Sequence, residues 1–513
     1  DYLSIMSENL NLDDALSKNK VGLFQYRLLL MCGFAFMADG LEVNLLTFLS
    51  TCAGDEWGLS DQQKASITGV VFAGILIGSL FWGIFADRYG RKLTFLLACG
   101  LISIAGFLSG AATNFATLIV FRAIVGFGIG GANIPFDLLA EFLPNSHRGT
   151  FLIYIEYFWT VGSLFVSGIA WASLSTYGWR VLAILTAIPV TLTSIFSVIY
   201  LPESPRWLLL KGRKEEAEKI VIAAAAVNGV TMAPFSLVQD EKLHNERPHS
   251  DPAADMSMHS TDSETDVMTR NSVSAASGKA AEMSYWDLLR VKEIRRVSLP
   301  LWAVWGLFGF TYYGIILFVG RLYTTSSDDN SASKTCSFDY SSIFINASSE
   351  MAGVTVSALV IDRLGRVRTQ TYFYLAAAVA VAIMGMGLPD DAILVVSIIG
   401  RMSVMAASNA TWVSTPELYS TEARTMGHAV CVACSKLGAF TSPFVVISSL
   451  NEFALGIILG IMNVLAALAA FRLPETAGTD LKKRSSFENA ASAFLLMPGT
   501  TSSFDQATSS QSN

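Results

Sequence analysis

Charge is scarce in this chain. Of its 513 residues only 15% are Asp, Glu, Lys or Arg, and 52% are hydrophobic; soluble domains carry about a quarter charged residues. Most of such a chain belongs in a lipid bilayer. The formal net charge is −7, which gives no reason to expect nucleic acid as a partner. Cysteine is scarce too: six residues exclude a disulfide-built scaffold. The five histidines form no HExxH pair, and the cysteines lack paired zinc spacing, so no metal site is expected. No nucleophile–base pattern is visible. "GFGIGG" at 126–131 imitates a phosphate loop, but it lies inside an apolar run with no strand before it and fails the context test. An enzyme, a cofactor and an ATP-driven pump are therefore not expected. The first two dozen residues are polar and partly acidic, unlike a cleavable signal.

What the chain has in abundance is long apolar runs. A helix needs about 20 apolar residues to cross roughly 30 Å of hydrocarbon. Twelve runs qualify: 25–49, 65–86, 93–113, 115–142, 151–173, 179–201, 298–322, 342–361, 369–388, 391–415, 424–448 and 452–473. Basic residues gather in the even-numbered connections, in "DRYGRK", "SHRG", the loop after run six and "DRLGRVR". Odd-numbered connections carry mainly acids. By the positive-inside rule both termini and the long loop face the cytosol. The expected organisation is a cytosolic segment 1–24, a six-helix bundle 25–201, a cytosolic loop 202–297, a second bundle 298–473 and a tail 474–513. The loop opens with "SPRWLLLKGRKEEAEKIVIAAAAVNG", whose helical spacing predicts one or two surface helices. Its polar middle and the tail are too poor in apolar residues to fold alone. Cys52 and Cys336 fall in connections on the same, non-cytosolic side; distance decides whether they bond. Cys431 and Cys434 read as helix packing. The sequons at Asn346 and Asn409 lie in or beside spans and are discounted.

The two halves repeat one another. "GIFADRYGRK" from Gly83 returns as "ALVIDRLGRVR" from Ala358, with Asp87 and Asp362, Gly90 and Gly365, and Arg91 and Arg366 each 275 apart. Glu141 and Arg148 of "EFLPNSHR" return as Glu417 and Arg424 of "ELYSTEAR" at an offset of 276. "LPESPR" with Glu203 returns as "LPETAG" with Glu475. Three signatures at nearly one offset indicate parallel six-span repeats. Gly74 and Gly78, and Gly126 and Gly130, have the four-residue spacing that lets helices approach closely.

On these residues the chain resembles the major facilitator superfamily. "GxxxDRxGRK", "R-x3-GxG", "ExxP…RG" and "PESPR" are similar to the sugar-porter and organic-ion branch, and "ADGLEV", "VGFGIGG", "AEFLP" and "TPELYS" to the synaptic vesicle 2-related proteins. The resemblance implies an all-α membrane protein: twelve transmembrane helices in two pseudo-symmetric six-helix bundles, the major facilitator fold, with a solute site near the midplane. It also implies a cytosolic gating network of Arg91, Glu141, Arg148 and Glu203 in one half and Arg366, Glu417, Arg424 and Glu475 in the other. Gly83 and Gly90 allow close approach and a tight turn. Asp87 is expected at the N-terminus of span 11, near Arg424, and Asp362 at that of span 5, where the helix dipole favours an anion.

Charges inside spans are functional candidates. "FMADGLEVNLL" at 36–46 carries Asp39 and Glu42 one helical turn apart. Sugar porters pair a span-1 aspartate with a span-4 arginine, and Asp39 and Arg122 match those places. Asp39 is expected to be the proton-coupling acid, released from Arg122 on protonation, and Glu42 the cavity acid. The glutamine that sugar porters place eight residues after the "RG" arginine is Glu156 here, and the amides of their span 7 become Trp302 and Ala303. An acid and aromatic faces suit a cation, and Trp159, Trp302, Trp305, Tyr312, Tyr313 and Trp412 can form the wall. The expected activity is proton-coupled, alternating-access transport of a small organic cation or zwitterion. Arg122, Arg401 and Lys436 support an alternative, a nicotinate-like anion; a sugar and a non-transporting vesicle receptor or adaptor are the others. Expected partners are the solute, protons and lipid. The protein is expected as a monomer, in a plasma or vesicle membrane.

Overall fold

In hydrocarbon a backbone N–H or C=O finds its partner only within its own segment, so long apolar runs become helices. The computed structural model describes residues 8–131, 133–232, 235–237, 286–325, 336–419 and 421–476. Among them, eleven helices are long and apolar enough to span a bilayer. One of these, Asn145–Tyr200, is two spans joined at Gly178, whose φ of 75° breaks the helix. Twelve spans result, numbered here in chain order. Spans 1 to 3 are Leu23–Trp57, Asp61–Tyr89 and Arg91–Gly110; span 4 is Phe115–Ile129 continued by Asn133–Glu141; spans 5 and 6 lie before and after Gly178. Spans 7 to 12 are Lys292–Leu322, Tyr340–Leu364, Arg366–Met384, Asp390–Leu418, Thr421–Val446 and Glu452–Phe471.

Packing follows the sequence repeat. In the first half span 1 lies along span 5, span 2 crosses span 4, and span 3 touches spans 4 and 6. In the second half span 7 lies along span 11, span 8 crosses span 10, and span 9 touches spans 10 and 12. The halves meet where span 2 packs on span 11, span 5 on span 8 and span 1 on span 7. Large apolar side chains such as Ile84, Ile199, Leu359 and Phe471 point outward and are exposed, as a lipid-facing surface requires. The glycine pairs serve as expected. A Cβ on Gly74 would lie 2.5 Å from the Ala123 carbonyl, and one on Gly126 would run into that of Val71, so spans 2 and 4 cross backbone to backbone.

The even number of spans puts the start of span 1 and the end of span 12 on one face, called here the terminus-bearing face. On the opposite face Cys52, near the end of span 1, is bonded to Cys336, just before span 8. Their Cα atoms are 5.3 Å apart, within the roughly 4.4–6.8 Å that the bond requires. The open question of this pairing is thus resolved by proximity, and the bond ties one half to the other. Asn346 and Asn409 are buried, consistent with discounting their sequons.

The terminus-bearing face holds a second core that the apolar runs did not announce. Strand Glu8–Leu10 pairs in parallel with Phe235–Leu237. Helix Leu12–Lys18 packs with the two expected surface helices, Pro205–Leu210 and Lys214–Val227. Leu12, Leu16, Trp207, Leu208, Val221 and Leu237 form its centre. Asn228 fastens the approach to span 1: its Oδ1 accepts from the Phe24 N–H at 2.9 Å and its Nδ2 donates to the Asn19 and Lys20 carbonyls. The polar stretch 245–279 and the tail beyond 476 lie outside the described residues.

Candidate functional site between the two halves

A cavity lies where the halves face each other. Its walls come from span 1 (Phe36, Asp39), span 5 (Glu156, Trp159), span 7 (Trp305, Phe308, Tyr312, Tyr313), span 10 (Met405, Ser408, Trp412) and span 11 (Lys436), with spans 2 and 4 contributing Ile75 and Gly130. Its volume is about 60 Å³, room for a few waters at roughly 10–15 Å³ each by this measure. The rings run in sequence around it: Phe36 to Trp159 at 6.1 Å between centroids, Trp159 to Tyr312 at 6.0 Å, Tyr312 to Phe308 at 5.5 Å, Phe308 to Trp305 at 6.0 Å and Trp305 to Trp412 at 4.7 Å.

Within this aromatic belt sit two acids and one base. Asp39 Oδ2 is 3.5 Å from Lys436 Nζ, an ion pair joining span 1 to span 11. Lys436 also donates to the Tyr313 hydroxyl at 3.2 Å and lies 5.5 Å from that ring's centre. Asp39 Oδ1 and the Trp159 indole N–H are buried without hydrogen-bond partners. Both residues line the cavity, so an acceptor and a donor remain for an occupant. The Glu156 carboxylate lines the same cavity and forms no ion pair among the described residues.

The structure corrects four expectations about these residues. Arg122 does not pair with Asp39. Its Nη1 donates to both oxygens of Glu42, at 2.8 and 3.0 Å, and its Nε to Ser109 at 2.9 Å. Glu42 is accordingly no cavity acid: it lies inside the first half, beside a small cleft among spans 1, 3, 4 and 6. Three residues along a helix leave two side chains about 60° apart round its axis, enough to aim Asp39 at the interface and Glu42 at span 4. Trp302 stands outside the cavity, and Trp305, one turn on, takes the place on the wall. Arg401 also lies off the cavity wall. Glu156, Trp159, Tyr312, Tyr313, Trp412 and Lys436 line it as expected.

The most buried charge among the described residues, a candidate only as an acid within an apolar run, lies off the cavity wall. Glu350 of span 8 has no exposed surface and pairs with Arg401 of span 10 at 3.0 Å. Glu350 Oε1 accepts from the Tyr312 hydroxyl at 3.0 Å and Oε2 from Ser163 at 3.1 Å. Arg401 Nη2 donates to Asn44 Oδ1 at 2.8 Å, and Asn44 Nδ2 donates to Ser163 Oγ at 2.8 Å. A signal was present, since Glu350 and Arg401 are both charges within apolar runs. Asn44 and Ser163 had none.

At the terminus-bearing face the repeated motifs fold alike. Gly90 and Gly365 have φ of 107° and 92°, which favours glycine. Arg91 bridges Asp87 at 2.9 Å and Glu141 at 3.7 Å; Arg366 bridges Asp362 at 2.9 Å and Glu417 at 3.1 Å. Glu203 accepts from the Arg91 and Lys92 N–H groups at the start of span 3, and Glu475 from those of Arg366 and Val367 at the start of span 9. The helix-dipole expectation is therefore met by other partners. Asp87 and Asp362 do not dock across the interface; their side chains are 73% and 77% exposed, because each is held by the arginine one turn on in its own half. Gly83 faces open space rather than a close neighbour. Arg148 donates to the Ala140 and Leu143 carbonyls, whereas the Nε of Arg424 is buried without a hydrogen-bond partner among the described residues.

Comparison with known proteins places this geometry. The family model described as sugar (and other) transporter matches residues 23–486. The chain is 30% identical to organic cation/carnitine transporter 7 of Arabidopsis thaliana, over 89% of this chain and 90% of that protein. It is 30% identical to the synaptic vesicle 2-related protein of Bos taurus, over 92% and 82%. In structure it is similar to the inward-open xylose transporter XylE of E. coli, with a TM-score of 0.65 and 18% identity over 90% of this chain and 99% of that one. That likeness shows the major facilitator fold.

Proposed function

The chain belongs to the sugar (and other) transporter family, and from that premise we propose that it is a proton-coupled secondary transporter of a small organic cation or zwitterion. It is a multi-pass membrane protein and not an enzyme. The observation that carries the solute class is the composition of the cavity: Asp39 and Glu156, one base already committed to Asp39, and a continuous aromatic belt. Aromatic faces attract a desolvated ammonium by up to about 2 kcal/mol each, and Glu156, left over by the Asp39–Lys436 pair, supplies the carboxylate that balances its charge. Lys436 can turn toward the carboxylate of a zwitterion. The kinship with a protein named for organic cations and carnitine agrees with this reading.

The coupling role moves with the ion pair. Glu42 and Arg122 occupy the span-1 and span-4 places in which Asp39 was expected to meet Arg122. Protonating Glu42 leaves Arg122, 1% exposed, with Ser109 alone. Stripping a buried charge of its partner costs free energy, and that cost is the drive for conformational change. The terminus-bearing face is proposed as cytosolic, on the distribution of lysine and arginine, and the protein as a monomer.

A second reading, transport of an organic anion, has one observation in favour: Lys436 lies on the cavity wall beside Tyr313. The test is uptake into proteoliposomes under an imposed proton gradient, with quaternary amines, zwitterionic amines, aromatic acids and hexoses. Gradient-driven uptake of amines that Glu156→Gln abolishes supports the cation reading. Uptake of acids that survives Glu156→Gln and is lost in Lys436→Met overturns it. A protein that moves none of them, with every cellular role intact after Asp39→Asn and Glu156→Gln, would be the receptor or adaptor.

A further inference from the structure

The Glu350–Arg401 pair closes a ring of hydrogen bonds that neither half completes alone. Glu350 accepts from Ser163, Ser163 accepts from Asn44, Asn44 accepts from Arg401, and Arg401 returns to Glu350, with every link between 2.8 and 3.1 Å. Two members belong to the first half and two to the second. All four lie inside the protein, with Arg401 1% exposed and Glu350 not at all.

The ring has a definite depth. Asn44 lies five residues beyond Asp39 along span 1, and Ser163 lies four beyond Trp159 along span 5, both toward the disulfide-bearing face. Arg401 precedes Met405 of span 10 by four, again on that side. Three of the four ring members are thus about one helical turn past a cavity-lining neighbour, and the fourth, Glu350, is tied to the cavity through Tyr312. The ring lies just beyond the cavity on the disulfide side, and Tyr312 touches both: its ring lines the cavity and its hydroxyl donates to Glu350. The Arg91 and Arg366 ion pairs at the terminus-bearing face, by contrast, each stay within one half.

We propose that this four-residue ring is the latch that holds the halves together on the disulfide side, and that Tyr312 is the link by which a solute in the cavity reaches it. The inference rests on the reading that the chain alternates access. Opening on that side requires Arg401 to leave Asn44 and Glu350 to leave Ser163, while the ion pair itself stays intact in the second half. The latch therefore opens without leaving either charge uncompensated. Asn44 and Ser163 act as positioning residues that receive the pair.

The test measures the conformers directly and needs no solute. Spin labels at Asp61→Cys, on span 2, and Ser449→Cys, after span 11, report the separation of the halves at that face. The background is Cys52→Ser with Cys336→Ser, so that the covalent tie does not mask opening. Pulsed dipolar spectroscopy in proteoliposomes gives the ratio of long to short separations. Asn44→Ala removes a hydrogen bond to a charged group and is expected to raise that ratio about tenfold, with Ser163→Ala raising it less. Asn44→Asp gives Arg401 a charged acceptor and is expected to lower the ratio below that of the parent. Opposite shifts from one position are something a merely structural role would not produce. An unchanged ratio in all three variants, or a shift in one direction for both Asn44 substitutions, overturns the latch. A shifted ratio in a protein without uptake overturns the transport reading and leaves the latch standing.

Discussion

Each half buries one arginine at a matching place, Arg122 on span 4 and Arg401 on span 10, and each is 1% exposed. They differ in where their partners come from. Arg122 is satisfied by Glu42 and Ser109 of its own half. Arg401 takes Glu350 from its own half and Asn44 from the other. The backbone repeat has thus been kept while its polar interior has diverged. The first half's buried arginine is satisfied within that half, and the second half's is finished only against its neighbour. The terminus-bearing face shows the opposite tendency, since there the repeated motifs keep equivalent bonds in both halves. Symmetry survives where the same local task, seating a helix N-terminus, recurs. It is lost at the interface, where one half presents a wall and the other a counterpart.

The sharpest way to break this comparison is to delete the two acids. Glu350→Ala leaves Arg401 buried beside Asn44 alone and is expected to cost about 3–5 kcal/mol, measured as thermal unfolding in detergent. Glu42→Ala should cost less, because Arg122 sits beside a cleft that can admit water to it. Equal losses, or a larger one at Glu42, would remove the asymmetry. The helix crossings provide the next contrast. Gly126→Val drives a side chain into the Val71 carbonyl, whereas a Cβ at Gly353 lies less tightly, 2.6 Å from the Met402 carbonyl and 3.0 Å from the Met405 Cβ. Overpacking of this kind costs roughly 1–3 kcal/mol, and the Gly126 variant should show the greater loss of folded yield.

The pair that joins the halves at the cavity permits a finer test. A double-mutant cycle on Asp39→Asn and Lys436→Met, read in uptake, should give a coupling of about 0.5–3 kcal/mol; additivity would mean that the ion pair is incidental. The smallest effect is expected at the repeated helix starts. Glu203→Gln and Glu475→Gln each weaken an anion at a helix N-terminus, worth about 0.3–1 kcal/mol. The two losses should agree closely, and a large difference would show that the motifs have diverged as the buried pairs have.

Much of the fold was legible because hydrocarbon imposes a length and a composition on any span, and the repeat of "DRxGR" is a pattern in the chain itself. The cavity was legible in part. Glu156, Trp159, Tyr312, Tyr313, Trp412 and Lys436 were found because charge and aromatic residues within apolar runs demand a reason. Who pairs with whom was not. Asp39 and Glu42 are separated by three residues, and only the rotation of span 1 against spans 4 and 11 decides which faces Arg122. The small core built by Leu12, Leu16, Trp207 and Phe235 escaped notice because short apolar clusters far apart in sequence form no run.

The sequence by itself determined that this chain spans a membrane twelve times in two related halves, because solvation by lipid acts on each segment separately and leaves its mark locally. The tertiary structure alone decided the ion-pair partners, the bond between Cys52 and Cys336, and the ring of Asn44, Ser163, Glu350 and Arg401. Those depend on the relative rotation and depth of helices, which come from packing the whole and are written in no single span.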